Sequence, residues 1–136
     1  MKIILIIDQE IIDQGLGNFI KYKLGHEIVG EFPCGESVIS SNLCFKTDII
    51  MIDLAKPFRK AFEASKKIIW INPKIKILGM VKQIEDVFLK PLIEAGFKGC
   101  ILKQDIFQEL PKAIEKISKN RLHFPEKIDI QKYQWQ

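Results

Sequence analysis

Three short apolar runs, each followed or ended by a charged residue, constrain the fold of this 136-residue chain most strongly. They are residues 3–7 before Asp8, residues 49–52 before Asp53, and residues 99–102 before Lys103. Unbroken runs of β-branched and large apolar residues are typical of strands buried on both faces, as in a parallel sheet. Ligands bind beyond the carboxyl ends of such strands, so the two carboxylates and the ammonium predict one compact charged site.

Strand and helix patterns alternate along the rest of the chain. Strands are predicted near 27–31 and 75–79 as well, and helices near 10–24, 36–44, 58–72, 84–95 and from 105 onward. Gly25 is placed to end the first helix, because glycine adopts the left-handed conformation that closes many helices. The alternation predicts an α/β fold, a doubly wound parallel sheet with right-handed crossovers and helices on both faces.

Two prolines should disturb the last two helices. Pro91 lies in the middle of the fourth, where it removes a backbone hydrogen bond, so either that helix is kinked or only its second half forms. Pro111 lies inside the last pattern, which allows that helix to start as late as Leu110. Asp105 and Gln108 predict a capping box at an earlier start. The inward positions expected for this last helix are Phe107, Leu110, Ile114 and Ile117.

Composition describes one ordinary globular domain, with 47% hydrophobic and 28% charged residues. No apolar stretch is long enough to span a bilayer, so no membrane association is expected. Three cysteines (Cys34, Cys44 and Cys100) lack metal-type spacing and are typical of reduced thiols in a cytoplasmic protein. The net charge of +4 is spread over scattered lysines and is a weak hint of an acidic partner. His26 and His123 are isolated and are predicted to be structural or surface residues.

The segments "DIIMIDLAKP" and "GCILK", at their joint spacing, resemble the receiver domains of bacterial two-component response regulators. The resemblance covers about residues 1–120 and implies a flavodoxin-like sheet of order 2-1-3-4-5. It also implies that Asp53 is the phosphoacceptor and that Lys103 binds the phosphoryl group. Asp8 and Asp53 would hold Mg²⁺, and a histidine kinase or phosphotransfer protein would be the partner that supplies the phosphoryl group.

Three positions depart from the receiver pattern. Gln9 replaces the second acidic residue after the first strand, so it would be a neutral and therefore weak metal ligand. Val81 stands where receivers carry a hydroxyl, and it cannot make the hydrogen bond to a charged acceptor that is worth roughly 1.5–3 kcal/mol. Cys100 stands where receivers carry an aromatic that reports activation. Val81 and Cys100 therefore predict a degenerate switch.

Two functional classes stay open. One is a receiver phosphorylated on Asp53, and the other is a phosphorylation-independent pseudo-receiver that acts as a protein-interaction module. A nucleotide-binding flavodoxin-like protein is disfavoured, because the segment after the first strand has no glycine-rich phosphate cradle. The resemblance further implies a possible homodimer through the face made by the fourth helix, fifth strand and last helix.

Residues 121–136 are predicted to be a C-terminal tail or a truncated linker. The segment "NRLHFPEKI" resembles the linker that follows the receiver in DNA-binding response regulators, where a helix-turn-helix output domain comes next. A missing DNA-binding output domain is therefore an expected partner of the receiver.

Overall fold

A computed structural model describes residues 1–7, 15–54, 58–83 and 86–125 of the chain. The strands are β1 (Lys2–Ile6), β2 (Glu27–Phe32), β3 (Ile49–Asp53), β4 (Lys76–Val81) and β5 (Phe97–Leu102). All neighbouring strands pair in parallel, and the sheet order is β2-β1-β3-β4-β5. The predicted α/β architecture and strand order are therefore confirmed.

Helices connect the strands on both faces of the sheet. They are α1 (described from residue 15, with a last π-helical turn Phe19–Lys23), α2 (Gly35–Ser41), α3 (Arg59–Ile71), α4 (Asp86–Glu94) and α5 (Ile106–Ser118). Two 3₁₀ turns, Leu43–Lys46 and Lys103–Asp105, precede β3 and α5. The predicted start of the first helix lies outside the described residues. Within the described part of the chain, no helix is long and apolar enough to cross a bilayer.

Alternate residues of each strand enter two separate hydrophobic clusters. Ile4 and Ile50 belong to the first cluster, which packs under α2, α3 and α4. Ile3 and Ile49 belong to the second cluster, which packs under α1 and α5. Burial of each such side chain contributes roughly 1.5–3 kcal/mol, which explains why the strand sequences lack polar alternation.

Helix ends follow backbone conformation at two residues. Gly25 has a φ of 74°, and the following His26 N–H donates a 3.0 Å hydrogen bond to the carbonyl of Ile20, so the predicted stop is confirmed. The second helix was predicted to run to residue 44, which is wrong. Asn42 adopts a left-handed conformation with a φ of 61°, which asparagine tolerates, and a 3₁₀ turn follows it.

Both proline-containing helices form on each side of their proline. α4 continues through Pro91, so the expectation that only its second half forms is wrong. The buried Leu89 and Leu92 hold the helix on either side of it, and this packing offsets the roughly 3 kcal/mol that an internal proline costs. The side chains of Ile84, Val87 and Phe88, in the first half of the predicted fourth helix, lie outside the described set.

The start of α5 differs from both sequence-based expectations. The helix begins at Ile106, so a start near Leu110 is wrong. Asp105 occupies the N-cap position, but its side chain makes no capping hydrogen bond, so the capping box is wrong as well. The preceding 3₁₀ turn leads the backbone into the helix instead. Phe107 is 48% exposed rather than buried, and its ring packs edge-on against Phe19 with centroids 5.1 Å apart.

Residues 121–125, named the strap here, run beside the outer edge of β5. His123 forms a parallel bridge with Gly99, while Leu122 and Phe124 pack against the first hydrophobic cluster. The strap is thus packed against the sheet although it follows the last helix. The division of the chain after residue 120 stays a prediction.

Candidate functional site

Asp53 is the last residue of β3 and lies at the carboxyl edge of the sheet. The four residues before it are fully apolar and buried, so the strand is held firmly up to the carboxylate. Asp53 pairs in register with Met80 of β4, and the next residue, Leu54, donates its N–H to the Met80 carbonyl at 2.9 Å. These contacts place the side chain, which is only 5% exposed, between the strand ends.

Lys103 immediately follows β5 and begins the 3₁₀ turn that leads into α5. Its side chain is 18% exposed, and its Nζ forms an ion pair with Oδ1 of Asp53. The two groups come from strands that flank β4, so the contact spans one strand. The predicted convergence of Asp53 and Lys103 is confirmed. Asp8 and Gln9, the other predicted site residues, lie outside the described residues.

The Asp53 carboxylate keeps unused bonding capacity. Oδ1 is buried and forms the ion pair with the ammonium of Lys103, and it accepts no hydrogen bond of ordinary geometry from a described residue. A carboxylate offers about four lone-pair directions. The group can therefore take a further cation or hydrogen-bond donor on the side away from Lys103.

A metal ion at the Asp53 carboxylate would need further ligands. Among the described residues, no group of three or more His, Cys, Asp or Glu side chains is arranged to hold a metal. Mg²⁺ commonly uses one or two carboxylates and retains several waters, so the donor set of Asp53 is compatible with it. The predicted Mg²⁺ site with Asp8, Asp53 and Gln9 stays a prediction.

Val81 and Cys100 are apolar-core residues near the site. Val81 ends β4, is 2% exposed, and packs in the first cluster. Cys100 is fully buried in the same cluster, and burial raises the pKa of its thiol to about 12. The thiol is therefore neutral at physiological pH. Neither side chain supplies a strong hydrogen-bond donor next to Asp53.

His123 was predicted to be a structural or surface residue, but its buried position against β5 was not predicted. This residue is 6% exposed, and its Nδ1 has no hydrogen-bond partner among the described residues. Burial lowers the pKa of the imidazole, as do the nearby Lys116 and Lys112, whereas Glu109 acts in the opposite direction. The available signal was Gly99, because a glycine inside a strand often marks a close approach of another backbone.

Comparisons with known proteins agree with this geometry. No family model matches the sequence. The chain is 26% identical over 117 residues to the response regulator GacA of Pseudomonas aeruginosa, covering 86% of this chain and 55% of that protein. It is 27% identical over 128 residues to the response regulator VraR of Staphylococcus aureus, covering 94% and 61% respectively. The chain therefore spans under two thirds of the length of these curated relatives.

Solved structures show the same architecture. A LuxR-family two-component response regulator from Aurantimonas sp. SI85-9A1 superposes with a TM-score of 0.82 at 26% identity, over 97% of this chain and 93% of that one. The isolated receiver (REC) domain of RcsB from Salmonella enterica serovar Typhimurium superposes with a TM-score of 0.83 over 100% and 99% of the two chains. Its identity of 20% limits that likeness to the fold. The sheet order, the paired charges at its carboxyl edge and these relatives support a receiver domain that resembles those of DNA-binding response regulators.

Proposed function

We propose that this receiver accepts a phosphoryl group on Asp53 during two-component signal transduction. The observation that carries the proposal is the buried Asp53 carboxylate, paired with Lys103 at the carboxyl edge of the sheet. Open parallel sheets bind ligands at this edge. A carboxylate that is largely shielded from water and lies beside a cation is suited to a reaction whose transition state builds up negative charge.

The chemistry follows from the positions of the two charges. A carboxylate oxygen of Asp53 attacks the phosphorus of a phosphohistidine in line, the P–N bond breaks, and an aspartyl phosphate forms. The transition state spreads negative charge over the equatorial phosphoryl oxygens. The ammonium of Lys103 lies close enough to neutralise part of that charge. Mg²⁺, held by Asp8 and Asp53 with Gln9 as a weak ligand, would neutralise the remainder.

The second candidate function is a pseudo-receiver that works through protein contacts without phosphorylation. Val81 and Cys100 favour it, because neither can grip a phosphoryl oxygen nor report one by an aromatic movement. A ligand that binds two conformations equally well shifts neither. We therefore infer that phosphorylation of Asp53, where it occurs, changes the rest of the domain little.

We also propose, by analogy with the relatives, the proteins with which this receiver works. The relatives are whole response regulators, so we propose a histidine kinase or phosphotransfer protein as donor and a DNA-binding output domain as the element that the receiver controls. We place the protein in the cytoplasm, where such kinases present their phosphohistidine. A homodimer through the α4–β5–α5 face is a further proposal.

The test is a titration with Mg²⁺ and the phosphoryl mimic beryllofluoride, followed through backbone amide NMR shifts. The wild-type domain should show saturable shifts near Asp53 and Lys103, and Asp53→Asn should abolish them. Asp48→Asn is a matched control, because Asp48 is an exposed aspartate just before the opposite end of β3. Equal shifts in the wild type and Asp53→Asn would contradict the proposal.

The metal ligands need their own variant. Gln9→Asp should tighten Mg²⁺ binding, because a second carboxylate then faces the divalent charge. An unchanged Mg²⁺ affinity would mean that Gln9 does not face the metal. No response to beryllofluoride in any variant would leave the pseudo-receiver as the better description.

A further inference from the structure

Trp70 presents its indole ring to solvent on the outer side of α3. It is 86% exposed, more than any other exposed large apolar residue in the described part of the chain. Ile68, two residues earlier, is buried in the first cluster, and two residues turn an α-helix by about 200°, so Trp70 faces away from the sheet. The packing of α3 therefore gives no reason for an indole at this position.

A second exposed ring, Phe45, lies at the same end of the layer that α2 and α3 form. Phe45 is 70% exposed and belongs to the 3₁₀ turn before β3. The side-chain amide of Asn72 donates a 2.9 Å hydrogen bond to the carbonyl of Cys44, which ties this turn to the end of α3. Phe45 is one residue from that bond and Trp70 is two, so the two rings belong to one surface. Single exposed apolar residues are ordinary, whereas neighbouring large rings indicate a binding surface.

Lysines surround the two rings. Lys66 and Lys67 precede Trp70 by four and three residues, the spacings that make side chains neighbours on a helix. Lys46 belongs to the 3₁₀ turn, Lys74 follows the end of α3, and all four lysines are exposed. None of the four forms an ion pair with a described residue. The surface therefore carries four positive charges that no described carboxylate neutralises.

The acidic residue on the outer side of α3 is already engaged. Glu63 is exposed and accepts a 3.1 Å hydrogen bond from Arg59, one turn earlier on the helix. Its charge is balanced within this pair, so it does not cancel the charges of Lys66 and Lys67. A partner that carries carboxylates therefore meets a positive potential around the two rings.

The elements beneath the surface are closely packed before any partner binds. A Cβ atom on Gly35 would lie 2.5 Å from the Cβ of Ala64, so α2 and α3 approach each other as closely as a glycine allows. The ring of Phe62 in α3 packs edge-on against Phe97 of β5, with centroids 5.9 Å apart. A preorganised surface loses little conformational entropy on binding.

We propose that the Trp70 face, defined as Phe45, Lys46, Lys66, Lys67, Trp70 and Lys74, binds an acidic protein segment that carries apolar side chains. An apolar centre with a charged rim is the usual anatomy of a protein interface, and tryptophan is enriched among the residues that dominate binding. The partner's carboxylates pair with the lysines, and its apolar side chains cover the two rings. The face lies at the opposite end of the sheet from Asp53, so the inference goes beyond the proposed function and requires no phosphorylation.

Two other anionic surfaces fit this face less well. A helix that lies on a membrane buries its apolar side in lipid, but the apolar side of α3, with Ala64 and Ile68, is already packed inside the protein. Single-stranded nucleic acid follows a positively charged groove, whereas Trp70 projects from the outermost side of a helix. The observations therefore favour a protein segment as the occupant.

The experiment titrates the isotope-labelled chain with a helical peptide that carries leucines on one face and glutamates beside them. Backbone amide NMR shifts should change and saturate within residues 43–47 and 66–74. Trp70→Ser should weaken binding at least roughly tenfold, because it removes the central ring. Lys66→Glu combined with Lys67→Glu should weaken binding by a similar factor, because the new carboxylates repel those of the peptide.

Matched controls come from α1, which packs on the other face of the sheet. Tyr22 is 80% exposed and stands between the exposed Lys21 and Lys23, so this cluster has a similar composition. Tyr22→Ser, and Lys21→Glu combined with Lys23→Glu, should leave peptide binding unchanged. Asp53→Asn should leave it unchanged as well, which separates this test from that of the proposed function. Circular dichroism checks that every variant keeps its fold.

The peptide itself is varied in the same way. A peptide with lysine in place of glutamate, and one with serine in place of leucine, should each bind at least roughly tenfold more weakly. Absence of saturable shifts with the acidic leucine peptide, shifts that lie outside the Trp70 face, or equal weakening by the α1 variants would overturn the proposal. Tighter binding of the same face to phosphatidylserine vesicles or to a single-stranded DNA oligonucleotide would overturn it too.

Discussion

Replacement of Lys103 by methionine tests the electrostatics of the site most directly. Methionine keeps a long unbranched side chain but removes the charge, so the Asp53 carboxylate, 5% exposed, loses its cation. Removal of one member of a fully buried pair costs about 3–5 kcal/mol, whereas an exposed pair is worth under about 1 kcal/mol. Because the Lys103 side chain is 18% exposed, we expect Lys103→Met to lower the free energy of unfolding by about 2–3 kcal/mol.

A double-mutant cycle separates charge from packing. With Asp53→Asn the carboxylate that needs a cation is gone, so Lys103→Met should then cost under about 1 kcal/mol and the coupling should be about 2 kcal/mol. Urea denaturation measures all four proteins. Lys60→Met, at an exposed position of α3, is the control and should change stability by less than about 0.5 kcal/mol. Equal costs of Lys103→Met in both backgrounds would refute the reasoning.

Three further outcomes are expected. Burial lowers the pKa of His123 below its ordinary 6.5, so the packed strap is favoured above that pH and loses stability as the pH falls below it. The Cys100 amide donates a hydrogen bond to the His123 carbonyl. Hydrogen exchange of the Cys100 amide, corrected for its intrinsic pH dependence, should therefore accelerate below pH 6.5, and slower exchange would contradict this. The exposed Cys34, whose pKa is lowered by its hydrogen bond with Ser37, should be alkylated before the other cysteines in the folded protein. If mass spectrometry showed Cys100 labelled equally fast, the burial of Cys100 would be contradicted. Val81→Thr should lower the free energy of unfolding by about 1–3 kcal/mol, because it buries a hydroxyl, and should enlarge the amide NMR shifts that beryllofluoride induces. A loss of stability without larger shifts would argue against Val81 as a switch position.

The site was predictable because its two described groups end strands with strong local signals. Unbroken apolar runs before Asp53 and Lys103 indicated fully buried parallel strands, and the carboxyl ends of such strands share one edge. The strand order required the family resemblance, since periodicity alone does not say which strands are neighbours. That Val81 and Cys100 are degenerate switch positions stays a prediction, and their burial in the first cluster depends on tertiary packing.

Other features depend on contacts between distant parts of the chain. A 3₁₀ turn at Lys103–Asp105 stands where the capping box was expected, and it begins at the residue that pairs with Asp53. Phe107 lies at a helical spacing typical of core residues, yet Ile106 takes the buried position and Phe107 packs at the surface against Phe19. The strap was not predicted, since one glycine in β5 was its only local signal.

The direction of the strap determines where the described chain leaves the sheet. α5 returns the chain to the edge at which the strands begin, opposite Asp53 and Lys103. The strap then runs parallel to β5, and Pro125 lines a small cavity with Leu102 and Asp105 at the far end of that strand. β5, α5 and the strap therefore form a further strand–helix–strand return, with α5 on the same face of the sheet as α1. Its effect is to bring the exit point of the described chain to the same rim as the charged pair.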